Sequence, residues 1–257
     1  MTEPTAERRT RFIIGDTETT GLVNKKMCEL ALREIHPVTL DTMKWPDGKP
    51  KEWLSLIDPQ QEIEQGAIDV HGITQAMVAD APTAAEYRDV ILQGEFAASD
   101  DTDIILIAHN ASFDVSMLSE VMGISSTICT LTWARRLVPE ADNHKLATLR
   151  QHFGYPEGEA HRAMADVATT HRILRELLLR SGMTLEQFAR SGEHTVHTMP
   201  YGKHKGTPMV AVPLGYLKWL WNRDGLEENM RESVKKVLKS VHSLSPKKNE
   251  KFDTVDA

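Results

Sequence analysis

The chain has 257 residues, 40% of them hydrophobic and 26% charged, which is the composition of a soluble globular protein. The longest uninterrupted apolar run, residues 104–108, is far too short to span a bilayer, and the polar N-terminus lacks the apolar core of a secretory signal. The two cysteines, Cys28 and Cys129, form no CxxC pair. A disulfide framework or a structural zinc site is therefore disfavoured, and a cytoplasmic location with no membrane partner is expected.

Charge is distributed unevenly along the chain. The formal net charge is −7, yet residues 201–257 contain 11 lysines and arginines against 7 acidic residues. An acidic body with a basic C-terminal part is typical of a metal-using enzyme that has a separate surface for a polyanion. A solvated basic helix and tail would give the same pattern, so charge alone leaves both interpretations open.

The first half of the chain predicts a meander followed by alternating helices and strands. β-branched and aromatic residues predict strands at residues 12–18, 27–37, 52–57, 103–108 and 126–130. Helices are predicted to open at residues 70–74 with Thr74 as N-cap, and at 84–92 with Thr83 as N-cap. Further helices are predicted from residue 114 to about 121 and at 131–137, 144–153 and 163–179. This order indicates an α/β fold with helices packed on a mixed sheet.

The C-terminal part changes character after a short helix at residues 185–190, which Thr184 is predicted to cap. Residues 191–197 are polar and predict a linker. The next stretch predicts a tight hairpin around Gly202 and Gly206, then an aromatic helix at 213–221 and a basic amphipathic helix at 230–241. We expect Trp219 to lie in the core of this small region and residues 244–257 to be disordered.

Four carboxylates and one histidine are the candidates for chemistry. Asp16 and Glu18 are two residues apart on the first strand, so their side chains project from the same face. Asp114 follows the buried strand at 103–108, and His161 precedes Asp166 by five residues at the start of a long helix. Taken singly, an aspartate at a helix start is usually a cap. Together, these groups could hold two divalent cations roughly 3.5–4 Å apart, beside a histidine able to accept a proton.

This ordered set resembles the DEDD superfamily of 3′→5′ exonucleases, specifically the branch whose fifth residue is a histidine. The matching segments are DTETTG at residues 16–21, HNASFD at 109–114 and HRAMAD at 161–166, and VHGIT at 70–74 also resembles a family element. The tyrosine branch would need a tyrosine where this chain has Arg162. The resemblance covers about residues 10–180, and residues 201–221 resemble the small C-terminal domain of one family member.

The resemblance implies a ribonuclease H-like mixed sheet flanked by helices, with a small C-terminal α+β domain. It implies that Asp16, Glu18, Asp114 and Asp166 hold two Mg²⁺ ions, for which Mn²⁺ can substitute, and that His161 is the general base. The enzyme would release nucleoside 5′-monophosphates from the 3′ end of single- or double-stranded DNA. The implied organisation is a polar segment at 1–9, an exonuclease domain at 10–182, a helix and linker at 183–197, a basic domain at 198–243 and the tail at 244–257.

Substrate contacts follow from the same resemblance. Thr17 and Thr19 would meet the terminal nucleotide, Leu22 would touch its base, and His71 would approach the terminal nucleoside. Asn110 and Phe113 would line the path of the strand, although Phe113 could equally be a core residue. In the basic C-terminal part, the candidate phosphate contacts include Lys203, Lys205, Lys218, Lys235 and Lys236.

Two other functions remain open on the sequence. An enzyme that trims RNA ends or short oligoribonucleotides would carry the same motifs, because nothing in them distinguishes the sugar. A non-catalytic nucleic-acid-binding protein of the same fold is predicted to have lost a carboxylate or the histidine, and this chain keeps all five.

Overall fold

A computed structural model describes residues 9–92, 96, 101–119, 121–156, 161–191, 196, 199, 202–205, 207–223, 226 and 228–243. Five strands are present in these ranges: β1 Arg9–Thr19, β2 Met27–Ile35, β3 Glu52–Leu56, β4 Thr102–Ala108 and β5 Ser126–Cys129. The helices are α1 Gln65–His71, α2 Gln75–Val78, α3 Ala84–Leu92, α4 Ser112–Leu118, α5 Thr130–Leu137, α6 Leu146–His152, α7 Ala163–Ser181, α8 Leu185–Arg190, α9 Leu214–Trp221 and α10 Glu228–Ser243. The predicted tail at 244–257, most of the predicted linker and residues 1–8 lie outside the described residues.

The strands form one mixed sheet in the order β3-β2-β1-β4-β5. β1 pairs antiparallel with β2, and β2 pairs antiparallel with β3, which confirms the predicted meander. β4 is parallel to both β1 and β5. Because β1 and β4 are parallel neighbours, the residues that follow them meet at the same edge of the sheet.

The central strand β1 separates two hydrophobic layers. Phe12 and Ile14 point to one face, where they share a cluster of buried residues with α5, α7 and α8. Ile13 points to the other face and packs in a cluster that includes Val115 and Leu118 of α4. This alternation is that of a strand buried on both sides, so the run of apolar residues in β1 is what the predicted layer architecture requires.

Gly15 allows α4 to pack closely on β1. A Cβ atom at this position would lie 2.9 Å from Leu106, 3.1 Å from Leu118 and 3.2 Å from Leu32. These atoms are the ends of leucine side chains on β4, α4 and β2, so a larger residue would force the three side chains to shift. The glycine therefore permits tight leucine packing on the face of β1 where α4 lies.

The long helix α7 supplies many of the buried residues on one face of the sheet. Val167, Leu174 and Leu177 recur at helical spacing and are completely buried, and each contributes roughly 1.5–3 kcal/mol of burial free energy. The helix ends at Gly182, whose φ of 67° is the left-handed conformation common at helix ends. Thr184 then starts α8 with a capping box formed with Gln187, as the predicted N-cap requires.

The predicted helix opening at residues 70–74 is partly wrong. Val70 and His71 end helix α1, which stops at Gly72 with φ 72°, and Thr74 stands before the separate short helix α2. The N-cap position was predicted correctly, but the Thr74 side chain makes no capping hydrogen bond. Helix α1 was missed because its first turn is polar and contains Gly66, which weakens a helical pattern.

The predicted hairpin around Gly202 and Gly206 falls partly on residues 198, 200, 201 and 206, which lie outside the described residues. In the part that the structure describes, Gly202–His204 and Met209–Ala211 form 3-10 helices, and the backbone N–H of Met199 donates to the carbonyl of Thr207 at 2.9 Å. The stretch lacks the alternating β-branched residues that two strands need. This region has its own buried cluster, formed by Val196, Met199, Met209, Val212, Leu217, Leu220, Met230 and Val234.

Trp219 is not part of that cluster. Its side chain is 54% exposed, so its predicted core position is wrong, whereas Trp221 packs against the cluster. The reason is helical geometry, because Leu217 and Leu220 occupy the inner face of α9 and Trp219 falls on the opposite side. Within the described ranges, no helix is both long and apolar enough to cross a membrane.

Candidate active site

Three of the four predicted carboxylates meet at the edge of the sheet. Asp16 and Glu18 project from β1, and Asp166 lies in the first turn of α7. Each offers one oxygen atom, and these three atoms lie within 4.8 Å of one another. Alternate residues of a strand point to the same face, so Asp16 and Glu18 project on the side of Phe12 and Ile14. This side faces the layer that contains α7.

Asp114 reaches the site from the opposite layer. It is 2% exposed in α4, and its Oδ1 accepts two hydrogen bonds of 3.0 Å, from the backbone N–H and from the hydroxyl of Thr17. The Thr17 side chain points to the opposite face of β1 from Asp16 and Glu18. Asp114, which binds Thr17, therefore does not belong to the group of three. The predicted meeting of four carboxylates is therefore observed as three close oxygens with the fourth group held beside them.

Burial raises the pKa values of all four carboxyl groups. The pKa of Glu18 rises to about 8, mainly through burial and then through the negative charge of Asp166. Burial, followed by repulsion from Asp114, also raises the pKa of Asp16 well above its usual range. The pKa of Asp114 rises to about 7, again through burial, and burial raises the pKa of Asp166. Such repulsion between close carboxylates is relieved when a cation binds between them.

The donor set fits a hard divalent cation. Every candidate ligand atom is a carboxylate oxygen, the type that Mg²⁺ and Mn²⁺ prefer, and no soft sulfur or imidazole ligand belongs to the group of three. The group of three contains no lysine, arginine or histidine that could compensate the negative charge of its carboxylates. The site therefore has both the ligand chemistry and the electrostatic demand for a divalent metal ion.

His161 lies immediately before α7 and is exposed. Its backbone has φ 62°, an uncommon left-handed value for a residue other than glycine. Electrostatic attraction to His161, and then to Arg150, lowers the pKa of Asp166 against the larger effect of burial. The histidine therefore lies close enough to this carboxylate to interact with its charge.

A buried carboxylate on β2 fixes the start of α7. Both oxygens of Glu29 are used: Arg162 Nη2 donates to Oε1 at 2.6 Å, and the backbone N–H of Ala163 donates to Oε2 at 2.9 Å. Glu29 is opposite Glu18 in the β1–β2 register. We call Glu29, Arg162 and the Ala163 N–H the Glu29 clamp, and it ties the beginning of α7 to the strands that carry the acidic group.

His71 and Thr19 support the end of β1. His71 is 5% exposed; its Nδ1 accepts from the backbone N–H of Ile73 at 3.0 Å, so Nε2 carries the proton that faces the Thr19 carbonyl at 3.2 Å. Burial lowers the pKa of His71. The Thr19 hydroxyl donates to the carbonyl of Gly21 at 3.0 Å. Both side chains thus have partners within the protein, and their contact with a nucleotide stays a prediction.

The loop after β1 and the start of α4 contain the remaining residues predicted to contact the substrate. Leu22 is 84% exposed, and Asn110, with φ 67°, is also exposed. Phe113 is half-buried, and the ammonium of Lys25 lies over its ring, 3.2 Å from the centroid. Burial lowers the pKa of Lys25, while the charge of Asp114 acts in the opposite direction.

The predicted C-terminal lysines differ in their surroundings. Lys203, Lys205, Lys218 and Lys236 have exposed side chains, whereas Lys235 forms a 2.6 Å ion pair with Glu232.

Sequence reasoning missed Glu29 and Lys25. Glu29 had a signal, because it lies among the apolar residues of the first part of β2 and is completely buried. A buried charge requires a partner. Lys25 had none, since its position over Phe113 depends on the path of the loop after β1.

Comparison with known proteins identifies the family. A family model described as "Exonuclease" matches residues 13–174. Exodeoxyribonuclease 10 of Escherichia coli K12 is 32% identical over 239 residues, a match that covers 89% of this chain and 99% of that protein. The chain belongs to the exonuclease family. Membership confirms the predicted resemblance to exodeoxyribonuclease X, the ribonuclease H-like fold and the enzyme class, a 3′→5′ exonuclease.

Other matches separate the exonuclease part from the C-terminal part. The PolC-type DNA polymerase III of Oceanobacillus iheyensis is 34% identical over 66% of this chain, which is 11% of that polymerase. The solved structure of exonuclease X in complex with 5′-overhanging duplex DNA is 31% identical, with a TM-score of 0.53, and covers 69% of this chain and 97% of that one. A second family model, described as "Putative quorum-sensing-regulated virulence factor", matches residues 193–239.

Proposed function

We propose that this member of the exonuclease family removes nucleoside 5′-monophosphates from the 3′ ends of DNA. The observation that carries the proposal is the group of three carboxylate oxygens within 4.8 Å at the carboxyl end of β1, with Asp114 held beside it. The relatives support DNA as the substrate, because exodeoxyribonuclease 10 is named for it and the exonuclease X structure contains it.

Asp16, Glu18, Asp114 and Asp166 would hold two Mg²⁺ ions, for which Mn²⁺ can substitute. When bound, such ions polarise the phosphodiester, generate hydroxide from water and stabilise the leaving oxygen. Thr17 fixes the orientation of Asp114 through its two hydrogen bonds. The Glu29 clamp fixes the first turn of α7, which places Asp166 relative to β1.

His161 is the general base in this proposal. Its exposed imidazole can accept a proton from the attacking water and pass it to solvent. Thr17, Thr19 and His71 shape the pocket for the terminal nucleotide. Leu22, Asn110 and Phe113 line the strand, and stacking on such groups tolerates any base at roughly 1–3 kcal/mol per base.

The test compares matched DNA and RNA oligomers that carry a 5′ label. With Mg²⁺ we expect a ladder of products shortened from the 3′ end, release of 5′-mononucleotides, and no reaction in EDTA. DNA should be trimmed faster than RNA of the same sequence. Faster trimming of RNA would contradict the proposed substrate and favour the exoribonuclease alternative.

A second part of the proposal is that basic side chains of the C-terminal part contact the phosphates of the DNA backbone. These are Lys203, Lys205, Lys218, Lys235 and Lys236. Its support is the exposure of four of these side chains and the basic composition of residues 201–257. Replacing Lys203 and Lys218 with glutamine should reduce the slope of log Kd against log salt by roughly 1.4, or about 0.7 for each contact to single-stranded DNA. The matched double substitution of Lys44 and Lys49, which are exposed near the β2–β3 turn, should leave the slope unchanged. Equal slopes in both variants would contradict the assignment.

A further inference from the structure

Lys25 occupies an unusual position beside the acidic site. It belongs to the loop between β1 and β2, and its Nζ lies 3.2 Å from the centroid of the Phe113 ring. Phe113 is adjacent in sequence to Asp114 in the first turn of α4. The ammonium therefore places a positive charge beside a group of carboxylates.

This ammonium is partly buried but forms no ion pair within the described part of the chain. A cation–π contact with phenylalanine stabilises a lysine only modestly, by less than a carboxylate or phosphate partner would. The side chain thus loses hydration without forming a direct ion pair, although it feels the charge of Asp114. A lysine in this state is a ready donor for an anionic group that arrives from outside.

The neighbouring residues indicate what that anionic group is. Leu22 and Val23, on the same loop, are 84% and 73% exposed, so the loop presents an apolar tip next to a cation. A nucleic-acid strand offers the same pairing, with apolar base faces beside charged phosphates. If the terminal phosphodiester lies at Asp16 and Glu18, the next part of the strand lies close to this loop, because Asp114 is held beside β1 and Phe113, which Lys25 covers, precedes it in the chain.

We propose that Lys25 binds a backbone phosphate of the DNA strand near its 3′ end, leaving the Phe113 ring free to contact a base. The inference rests on the proposed function and adds a substrate-binding residue outside the exonuclease motifs. Lys25 also offsets the repulsion between the incoming phosphate and the carboxylates. The neighbouring Lys26, which is exposed and has no contact with Phe113, does not share this role.

The experiment measures steady-state trimming of a single-stranded oligodeoxynucleotide by the full chain with Mg²⁺ at several salt concentrations. Lys25→Met should raise KM by about 5- to 20-fold at an unchanged kcat, and the slope of log KM against log salt should fall by about 0.7. Lys25→Arg should retain the wild-type slope. Lys26→Met removes the same charge one residue away and is the matched control, with wild-type KM and slope expected.

A second arm locates the phosphate. Oligonucleotides with one uncharged methylphosphonate linkage at the second, third or fourth position from the 3′ end are trimmed by wild type and by Lys25→Met. At one position, neutralisation should raise KM for wild type but not for the variant, which is the signature of a direct pairwise interaction. Thermal unfolding confirms that each variant is folded.

Three outcomes would overturn the inference: identical KM values for Lys25→Met and Lys26→Met, a fall in kcat alone, or no coupling at any of the three linkages. A fall in kcat would indicate that Lys25 only compensates the charge of Asp114. Failure of the proposed function is distinguishable from these results, because wild type itself would then not shorten the DNA.

Discussion

Asp16→Asn should abolish nuclease activity while leaving the protein folded. Asp16 is in the group of three carboxylates, and its charge is coupled to Asp114 and Asp166. Loss of this negative oxygen removes a metal ligand, and metal-ion catalysis contributes several kcal/mol of transition-state stabilisation. We expect kcat to fall by at least about 1,000-fold. Trimming of labelled DNA at saturating Mg²⁺ measures the loss, with Asp47→Asn in the exposed β2–β3 turn as the control.

The same substitution should stabilise the metal-free protein at neutral and alkaline pH. A carboxyl group whose pKa is raised on folding destabilises the folded state once the pH exceeds its ordinary pKa. The pKa of Asp114 is raised from 3.8 to about 7 and that of Glu18 from 4.5 to about 8. The stability of the metal-free wild type should therefore fall as the pH rises from about 4 to about 8.

Asp16→Asn removes the repulsion that contributes to this loss. In EDTA, the Tm of the variant should exceed that of the wild type at pH 8, and the difference should disappear near pH 4. Mg²⁺ should raise the Tm of the wild type at pH 8 by more than that of the variant. A variant that is less stable than wild type at pH 8, or one that keeps full activity, would contradict the assignment of Asp16.

Glu29→Gln should lower activity although Glu29 is not one of the proposed metal ligands. Its carboxylate receives Arg162 and the N–H of Ala163, and this contact fixes the start of α7. Loss of a group that orients metal ligands typically costs 10–100-fold in metal affinity or activity. We expect a fall of about this size in kcat, a higher Mg²⁺ concentration for half-maximal activity, and an unchanged KM for DNA.

The effect on stability should be smaller than the effect on activity. Breaking a fully buried ion pair costs about 3–5 kcal/mol. The Arg162 side chain is 36% exposed and can recover hydration, so the free energy of unfolding should fall by less than this. Chemical denaturation measures the change. A lowered stability with an unchanged Mg²⁺ requirement would show that Glu29 is structural only.

The same strand provides a matched control. Glu34 on β2 is 4% exposed and binds Arg11 at 2.6 Å and Lys51 at 2.9 Å, far along the strand from the acidic group. Glu34→Gln should reduce stability and leave kcat and the Mg²⁺ requirement as in wild type. Equal loss of activity in both variants would mean that activity reports general stability rather than the position of α7.

The sheet and most helix boundaries could be predicted because their signals are local. The apolar run of β1 and the buried run of β4 identify themselves by residue type, and Thr184 with Gln187 forms a capping box within four residues. The spacing of Asp16 and Glu18 also fixes their common face. These features need only the chemistry of neighbouring residues.

The details of the site depend on contacts between distant residues. The Glu29 clamp joins residues 133 apart in the chain, and the hydrogen bonds from Thr17 to Asp114 join residues 97 apart. No periodicity carries such information. The local signal for the predicted hairpin around Gly202 is weak for a different reason, since glycines permit several turn conformations and the residues between them do not favour strands.

The four carboxylates proposed as metal ligands come from both hydrophobic layers. Asp166 belongs to α7 on one face of β1, and Asp114 belongs to α4 on the other. A cation bound between them would bridge the two faces, so opening of either layer would release it. Amide hydrogens in both α4 and α7 should consequently exchange more slowly when the ion is present. A partly unfolded molecule would lose the ion and, with it, the ability to cleave DNA indiscriminately.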